Sequence, residues 1–289
     1  MRSKSDVRRL SVAIPASLVS DTPHLREKTG KLGSVARACS IFGATEIILY
    51  QDDARRDQAN DLELCMEILR FVETPQYLRK RMFRLTPNLR FAGILAPLQT
   101  PAHDVTRSIR ESKVGDVRDG VIVDRRRGSL LVDVGLEKAL ECHGNLPVGR
   151  RVIVRVTSLG ENPLGEIVDY SKTGSAYWGY RVVKANSSLG RFVEKEKFDL
   201  AIGTSRYGSP IADVWSGLVA AFRSAEQVLV AFGSPKMGLG DILSQENKTP
   251  EDVFDYLVNT VPNQNVSTVR TEEAILISLG IFNLATSIY

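Results

Sequence analysis

Apolar residues recur at helical spacing from Leu25 to Phe42, at Leu32, Val35, Ala36, Cys39 and Phe42, which predicts a helix ended by Gly43. Short apolar runs flank it: Leu10–Ile14, closed by Pro15, and Glu46–Tyr50 read as buried strands. Asp61–Val72 reads as a second amphipathic helix, with Leu62, Leu64, Cys65, Ile68, Leu69 and Val72 apolar. Alternating strands and helices predict a parallel sheet covered by helices. Near Arg90 the pattern changes to short strands at Gly120–Asp124, Ser129–Val134, Arg151–Val156 and Gly165–Asp169. Turn signals separate them, at Gly128, Gly135, Pro147–Gly149 and Gly160–Pro163, so the stretch reads as a small β-barrel. Its length fits a five-stranded barrel of the oligonucleotide-binding type.

After about Ala176 the α/β pattern returns. Asp199–Ile202 and Gln227–Phe232 read as strands, and Ile211–Ser224 and Glu251–Leu257 as helices. The last helix, Glu272 to about Leu284, is apolar on almost every face, so burial on all sides is expected, as a dimer interface would provide. The fold class is therefore α/β, with residues 1–90 and 176–289 forming one split domain and 91–175 an inserted barrel.

Composition narrows the function classes. With 289 residues, 43% hydrophobic, the chain exceeds one typical domain and has enough apolar material for a core. No apolar run is long enough to span a bilayer, and the basic start lacks a signal peptide's apolar segment, so a cytoplasmic protein without membrane contact is expected. Cys39, Cys65 and Cys142 are widely spaced and form no CxxC pair, so neither a disulfide framework nor a metal site is indicated. The net charge of +4 is modest, but basic residues cluster at Arg55-Arg56, at Arg79, Lys80 and Arg81, and at Arg125, Arg126 and Arg127. Such clusters can neutralise phosphates or simply form solvated faces, and three of them in one chain tilt the reading somewhat towards RNA.

Candidate chemistry lies in three loops of the C-terminal half: Gly203–Pro210, Gly233–Gly240 and Asn259–Glu273. Two follow the apolar strands just named. Loops at the carboxyl ends of parallel strands are where such sheets bind ligands, and glycines there allow close approach of the backbone. Gly233 and Gly238 have the spacing of a phosphate-binding loop, but Leu239-Gly240 stands where Lys and Ser or Thr belong. No GxGxxG follows the first strand, which disfavours a nicotinamide enzyme. The third loop is long for a tight connection, and long ordered loops tend to be functional. Thr271 is placed to cap the last helix, with Glu272 and Glu273 at its positive end.

The stretches Asn259-Thr-Val-Pro262 and Val269-Arg-Thr-Glu-Glu-Ala-Ile-Leu-Ile-Ser-Leu279 resemble the signature of the archaeal–eukaryotic RNA methyltransferase family of the SPOUT superfamily. This family carries an inserted OB-like domain, and its human member is associated with centromeres and the spindle. Asp199–Ser205, Val228–Gly233, Val12–Ser17 and Arg26–Gly43 resemble its other motifs. The resemblance implies a C-terminal trefoil knot, a homodimer formed through the last helix, S-adenosyl-L-methionine as cofactor, and a uridine in RNA as substrate, at N3. Carried over by position, Gly203, Thr204 and Ser205 would line one side of the cofactor pocket. Gly233, Ser234, Pro235 and Gly238 would hold the ribose and methionine side. Asn259, Thr260, Pro262, Val266, Thr268, Val269, Thr271 and Ala274 would surround adenine.

Methyl transfer from a sulfonium is largely a matter of alignment. A ring N–H acceptor must also lose its proton. His24, His103 and His143 all lie outside the three loops, so a histidine base is not expected. Arg206 and Arg270 are the catalytic candidates, stabilising a uridine anion or holding a phosphate. The alternative class is a non-catalytic RNA-binding or ribosome-assembly factor that keeps the fold.

Overall fold

The computed structural model describes residues 9–103, 108–126, 128–175 and 177–287. In chain order the elements begin β1 (Arg9–Pro15), α1 (Leu25–Ile41), β2 (Glu46–Tyr50), α2 (Ala59–Glu73) and α3 (Gln76–Met82). Five strands come next: β3 (Val117–Arg126), β4 (Ser129–Asp133), β5 (Leu140–His143), β6 (Arg151–Ser158) and β7 (Leu164–Val168). The chain continues with β8 (Arg181–Lys184), α4 (Leu189–Glu196), β9 (Leu200–Pro210), α5 (Ile211–Ser224) and β10 (Gln227–Ala231). It ends with α6 (Leu239–Ser244), β11 (Tyr256–Asn259) and α7 (Thr271–Ser287). These elements form two compact units, one of Met1–Arg70, Asn88–Ala96 and Gly179–Tyr289, the other of Phe71–Pro87 and Pro97–Trp178.

The first unit is built on a six-stranded sheet in the order β11-β9-β10-β1-β2-β8, with its strand pairs parallel. Its central strands are buried nearly throughout, which is why they appear in sequence as unbroken apolar runs rather than alternating ones. Helices α4 and α6 cover one face, placing Leu189, Phe192 and Ile242 in one core with Ala13, Ile48 and Tyr50. Helix α1 packs on α7 and α7 on α5, where the Phe222 and Phe282 rings stack with centroids 5.8 Å apart. Lys31, buried on α1, pairs with Asp21 at 2.8 Å and with Glu272 of α7 at 3.3 Å. Gly43 follows α1 at φ +71°, the left-handed position at which helices commonly end.

The second unit contains a closed barrel in the order β3-β4-β5-β7-β6. Apart from the parallel β5–β7 contact, its pairings are antiparallel. Leu130, Val132, Leu140, Val154 and Val156 fill its interior. A cluster of charges is buried beside it. The Arg151 guanidinium donates to the Glu73 carboxylate at 2.5 and 3.0 Å and to Asp119 at 2.5 Å. Asp119 also accepts from the Trp178 indole at 3.4 Å. Burial pushes the Glu73 carboxyl up despite the adjacent guanidinium. Burial works against the charge on Arg151 too, yet the two carboxylates hold its pKa above the ordinary value.

One sequence expectation requires correction. Glu251–Leu257 is not a helix: a 3-10 turn at Pro250–Asp252 leads into β11, and its parallel pairing with β9 overrides the local pattern. Within the chain α7 is buried on one face only, with Ile275, Leu279, Phe282 and Ala285 inside and Leu276, Ile277 and Leu284 exposed. Among the described residues no helix is long and apolar enough to cross a membrane.

Candidate active site

Because β9, β10 and β11 are adjacent and parallel, their carboxyl ends bring the three loops together. Each loop is then fastened to its neighbours. The Thr204 hydroxyl donates to the Ala231 carbonyl at 2.9 Å, and the Asn259 amide donates to the Arg206 carbonyl at 2.9 Å. The Arg206 guanidinium donates to the Ser267 carbonyl at 3.3 Å, and the Thr271 hydroxyl to the Gly233 carbonyl at 3.2 Å. Thus the first loop bonds to the third and the third to the second. Four bonds of ordinary strength, each contributing about 0.5–1.5 kcal/mol net, fix the shape of the site.

The first loop has an unusual path. Strand β9 pairs with β11 at Ile202 and Gly203, leaves, and pairs again at Ser209 and Pro210, opposite the next residues of β11. Residues 204–208 are therefore thrown out between two consecutive rungs of the ladder. Gly208 makes the return possible, since a Cβ there would lie 2.7 Å from the Leu257 carbonyl oxygen. The ejected segment carries Arg206 and Tyr207, both exposed, with the guanidinium 4.6 Å from the centroid of the tyrosine ring.

The second loop closes on itself: the Ser234 N–H donates to the Met237 carbonyl at 2.8 Å, and the Met237 N–H to the Ser234 hydroxyl at 3.0 Å. The carbonyl just before it, at Phe232, accepts from the buried Tyr50 hydroxyl at 2.5 Å. Burial, reinforced by the charge of Asp52, pushes the Tyr50 phenol well above its usual range, so it remains a donor. Gly238 opens α6, its N–H bonded to Asp241 at 3.1 Å.

The third loop leaves Pro262, Val266 and Thr268 exposed, Asn259, Thr260 and Val269 half-buried and Thr271 buried. Thr260 shares a 2.9 Å hydrogen bond with Ser278, a buried residue of α7. The expected cap on α7 is made differently. Thr271 is the first helical residue and uses its hydroxyl on Gly233, while the Glu273 carboxylate accepts from the Arg270 N–H at 2.9 Å. Arg270 is exposed at the mouth of this loop, and Ala274 is half-buried in the first turn behind it. Among the described residues the Arg270 guanidinium has no ion-pair partner.

Residues 9–282 match the family described as "Putative RNA methyltransferase". The chain belongs to this family. It is 36% identical to the mouse 28S rRNA (uridine-N(3))-methyltransferase, the match covering 94% of this chain and 75% of that one. It is 34% identical to an uncharacterized protein of Haloarcula marismortui, over 95% and 98% of the two chains. The solved SpoU methyltransferase AviRb from Streptomyces viridochromogenes, in complex with AdoMet, has a TM-score of 0.37 and 12% identity over 99% of this chain and 60% of its own. A likeness that slight says nothing about how this chain works.

Within this RNA methyltransferase, the basic clusters differ in what they leave accessible. Arg79 is half-buried and ties up the carbonyls of Val72 and Thr74 at the end of α2, at 3.1 and 2.9 Å, with its guanidinium over the Phe71 ring. Arg81 pairs with Asp133, and Lys80 is exposed. Arg125 and Arg126 are exposed at the end of β3, Arg126 lying 3.5 Å from Asp124. Arg127 lies outside the described residues. Tyr50, Tyr207 and Ser278 do not stand out as site residues in the sequence. Only Tyr207 carries a signal there, an aromatic among glycines and serines; the partners of Tyr50 and Ser278 are far away along the chain.

Proposed function

We propose that the chain is an S-adenosyl-L-methionine-dependent SPOUT methyltransferase that methylates N3 of a uridine in ribosomal RNA. The observation that carries this reading is the ring of hydrogen bonds joining the three loops at the ends of β9, β10 and β11, in a chain of an RNA methyltransferase family. The polar groups fit the cofactor: the Ser205 hydroxyl and the lone pairs of Thr204 on one side, the self-closed Gly233–Gly238 turn on another, and the largely exposed stretch Pro262–Thr268 for the adenine. The cofactor supplies a transferable methyl group. The residues of this chain align the acceptor and stabilise charge. Arg270, with its accessible guanidinium, is assigned to the uracil as it becomes anionic on losing its N3 proton; Arg206 is assigned to holding the first loop.

Three further features belong to the same reading. The double meeting of β9 with β11 and the bond from Thr271 to Gly233 support a C-terminal trefoil knot. The five-stranded barrel reads as an inserted OB-like module delivering cytoplasmic RNA, with Lys80, Arg81, Arg125 and Arg126 at its phosphates. The exposed Leu276, Ile277 and Leu284 of α7 support a homodimer covering that face.

The experiment is calorimetric titration with S-adenosyl-L-methionine, followed by mass spectrometry of nucleosides from ribosomal RNA treated with both. Cofactor binding and newly formed 3-methyluridine are expected. An absence of binding would instead favour an RNA-binding assembly factor.

A further inference from the structure

Tyr207 is 80% exposed, the most exposed large hydrophobic side chain among the described residues of the first unit, yet the segment that bears it is tightly held. Its own N–H donates to the Ser205 hydroxyl at 3.1 Å. The carbonyl before it accepts from Asn259, and Gly208 behind it presses on the Leu257 peptide. Arg206 lies over the ring, donates to its hydroxyl, and reaches the Ser267 carbonyl with its other terminal nitrogen. A large ring in water normally moves freely or finds cover. This one is fixed in position by its neighbours and, apart from the guanidinium of Arg206 over it, left uncovered, beside the loops assigned to the cofactor. Fixed, exposed aromatics are surfaces for flat partners, and unpaired bases in RNA are recognised by stacking on such rings and on arginine planes.

We propose that the Tyr207 ring, braced by Arg206, is the stacking platform on which the target uracil rests before methyl transfer. The inference builds on the function proposed above by naming the group that positions the base. The platform lies on the same ejected segment as Thr204 and Ser205, so a base stacked there is carried at the edge of the cofactor loops. The Arg206 guanidinium, already bonded to Ser267, keeps the ring from rotating and places a positive charge beside any uracil stacked on it.

Base stacking predicts a defined loss on truncation. Removing a stacking aromatic costs about 1–3 kcal/mol per base, which is roughly fivefold to 150-fold in affinity. Tyr207→Ala should therefore weaken binding of a twelve-nucleotide oligouridylate by roughly that factor. Binding of an abasic oligomer of equal length, which offers only phosphates and sugars, should be unchanged. Tyr207→Trp should restore oligouridylate affinity, and its added emission should be quenched by oligouridylate and not by the abasic oligomer. The measurement uses the full chain, with calorimetric S-adenosyl-L-methionine binding and light scattering run in parallel on each variant. Equal oligouridylate affinity for Tyr207→Ala and wild type would overturn the platform while leaving the cofactor reading intact. Loss of cofactor binding or a changed oligomeric state in Tyr207→Ala would also overturn it, marking the ring as structural. Wild-type protein that fails to bind the cofactor but whose Tyr207→Trp variant is quenched by oligouridylate would sink the methyltransferase reading and keep the base platform.

Discussion

Replacing Gly208 with alanine tests whether the first loop is shaped by the close return of β9 to β11. The new Cβ would stand 2.7 Å from the Leu257 oxygen and 2.8 Å from the carbonyl carbons of Leu257 and Val258, where ordinary contact begins near 3.4 Å. The two backbones must then separate by about 0.6–0.7 Å, and neither is a flexible side chain end that could turn away. Overpacking of this kind costs about 1–3 kcal/mol, and the rigid partners put this case at about 2–3 kcal/mol. For a chain of this size that is a fall of roughly 4–12 °C in melting temperature by calorimetry. The same shift strains the bond from Asn259 to the Arg206 carbonyl, so cofactor affinity should drop by about two- to tenfold if one such bond breaks. Gly93→Ala is the control, because nothing lies within 4 Å of its Cβ. If Gly208→Ala melts with Gly93→Ala and binds the cofactor as wild type does, the close return of β9 does not shape the site.

Arg270→Ala should keep calorimetric cofactor affinity while turnover falls by about 10²–10³, the scale for removing one donor to a developing anion; unchanged turnover removes Arg270 from the mechanism. Arg151→Met leaves Glu73 and Asp119 buried without their cation and should cost about 3–5 kcal/mol near neutral pH by urea denaturation. Because the Glu73 carboxyl is already raised by burial, the folded form binds its proton more readily than the unfolded chain. Its contribution is fully present below the unfolded value and is lost as pH rises through the folded one. The Arg151→Met penalty should therefore shrink as the pH falls through the range in which Glu73 takes up its proton, and a penalty constant with pH would refute the charge argument. Arg125→Ala with Arg126→Ala should weaken RNA binding across sequences and reduce its salt slope by about 1 for each phosphate no longer neutralised; an unaltered slope would clear both residues of phosphate binding.

Elements with strong periodicity are legible in the sequence. Helices α1, α2 and α5 and strands β1, β2 and β10 follow from apolar spacing, because burial on fixed faces demands those residues. Short elements are not: α4 occupies Leu189–Glu196 and α6 only Leu239–Ser244, each too short to establish a pattern beside its polar flanks. Strand β11 reads as helix because Val253, Phe254, Leu257 and Val258 recur at helical spacing, while the strand itself, Tyr256–Asn259, is too short to show a period of its own. The loops themselves are visible as runs of Gly, Ser, Thr and Asn. Their linkage is not, because it joins Arg206 to Ser267 and Gly233 to Thr271, and separations of that size leave no local trace.

The sheet order has a consequence for how the chain is made. Strand β1 is the first of the sheet's strands to be synthesised and lies in its middle, between β2 and β10. One edge is matched as soon as Tyr50 has emerged, but the other has no partner until Ala231. At about 5–20 residues per second, the ribosome leaves that apolar edge open for roughly 10–40 s, a window in which nascent strands aggregate or are held by chaperones. Pairings this remote along the chain are also slow to form in refolding. Yield during expression should accordingly depend more on translation speed and chaperone supply than on the stability of the finished sheet.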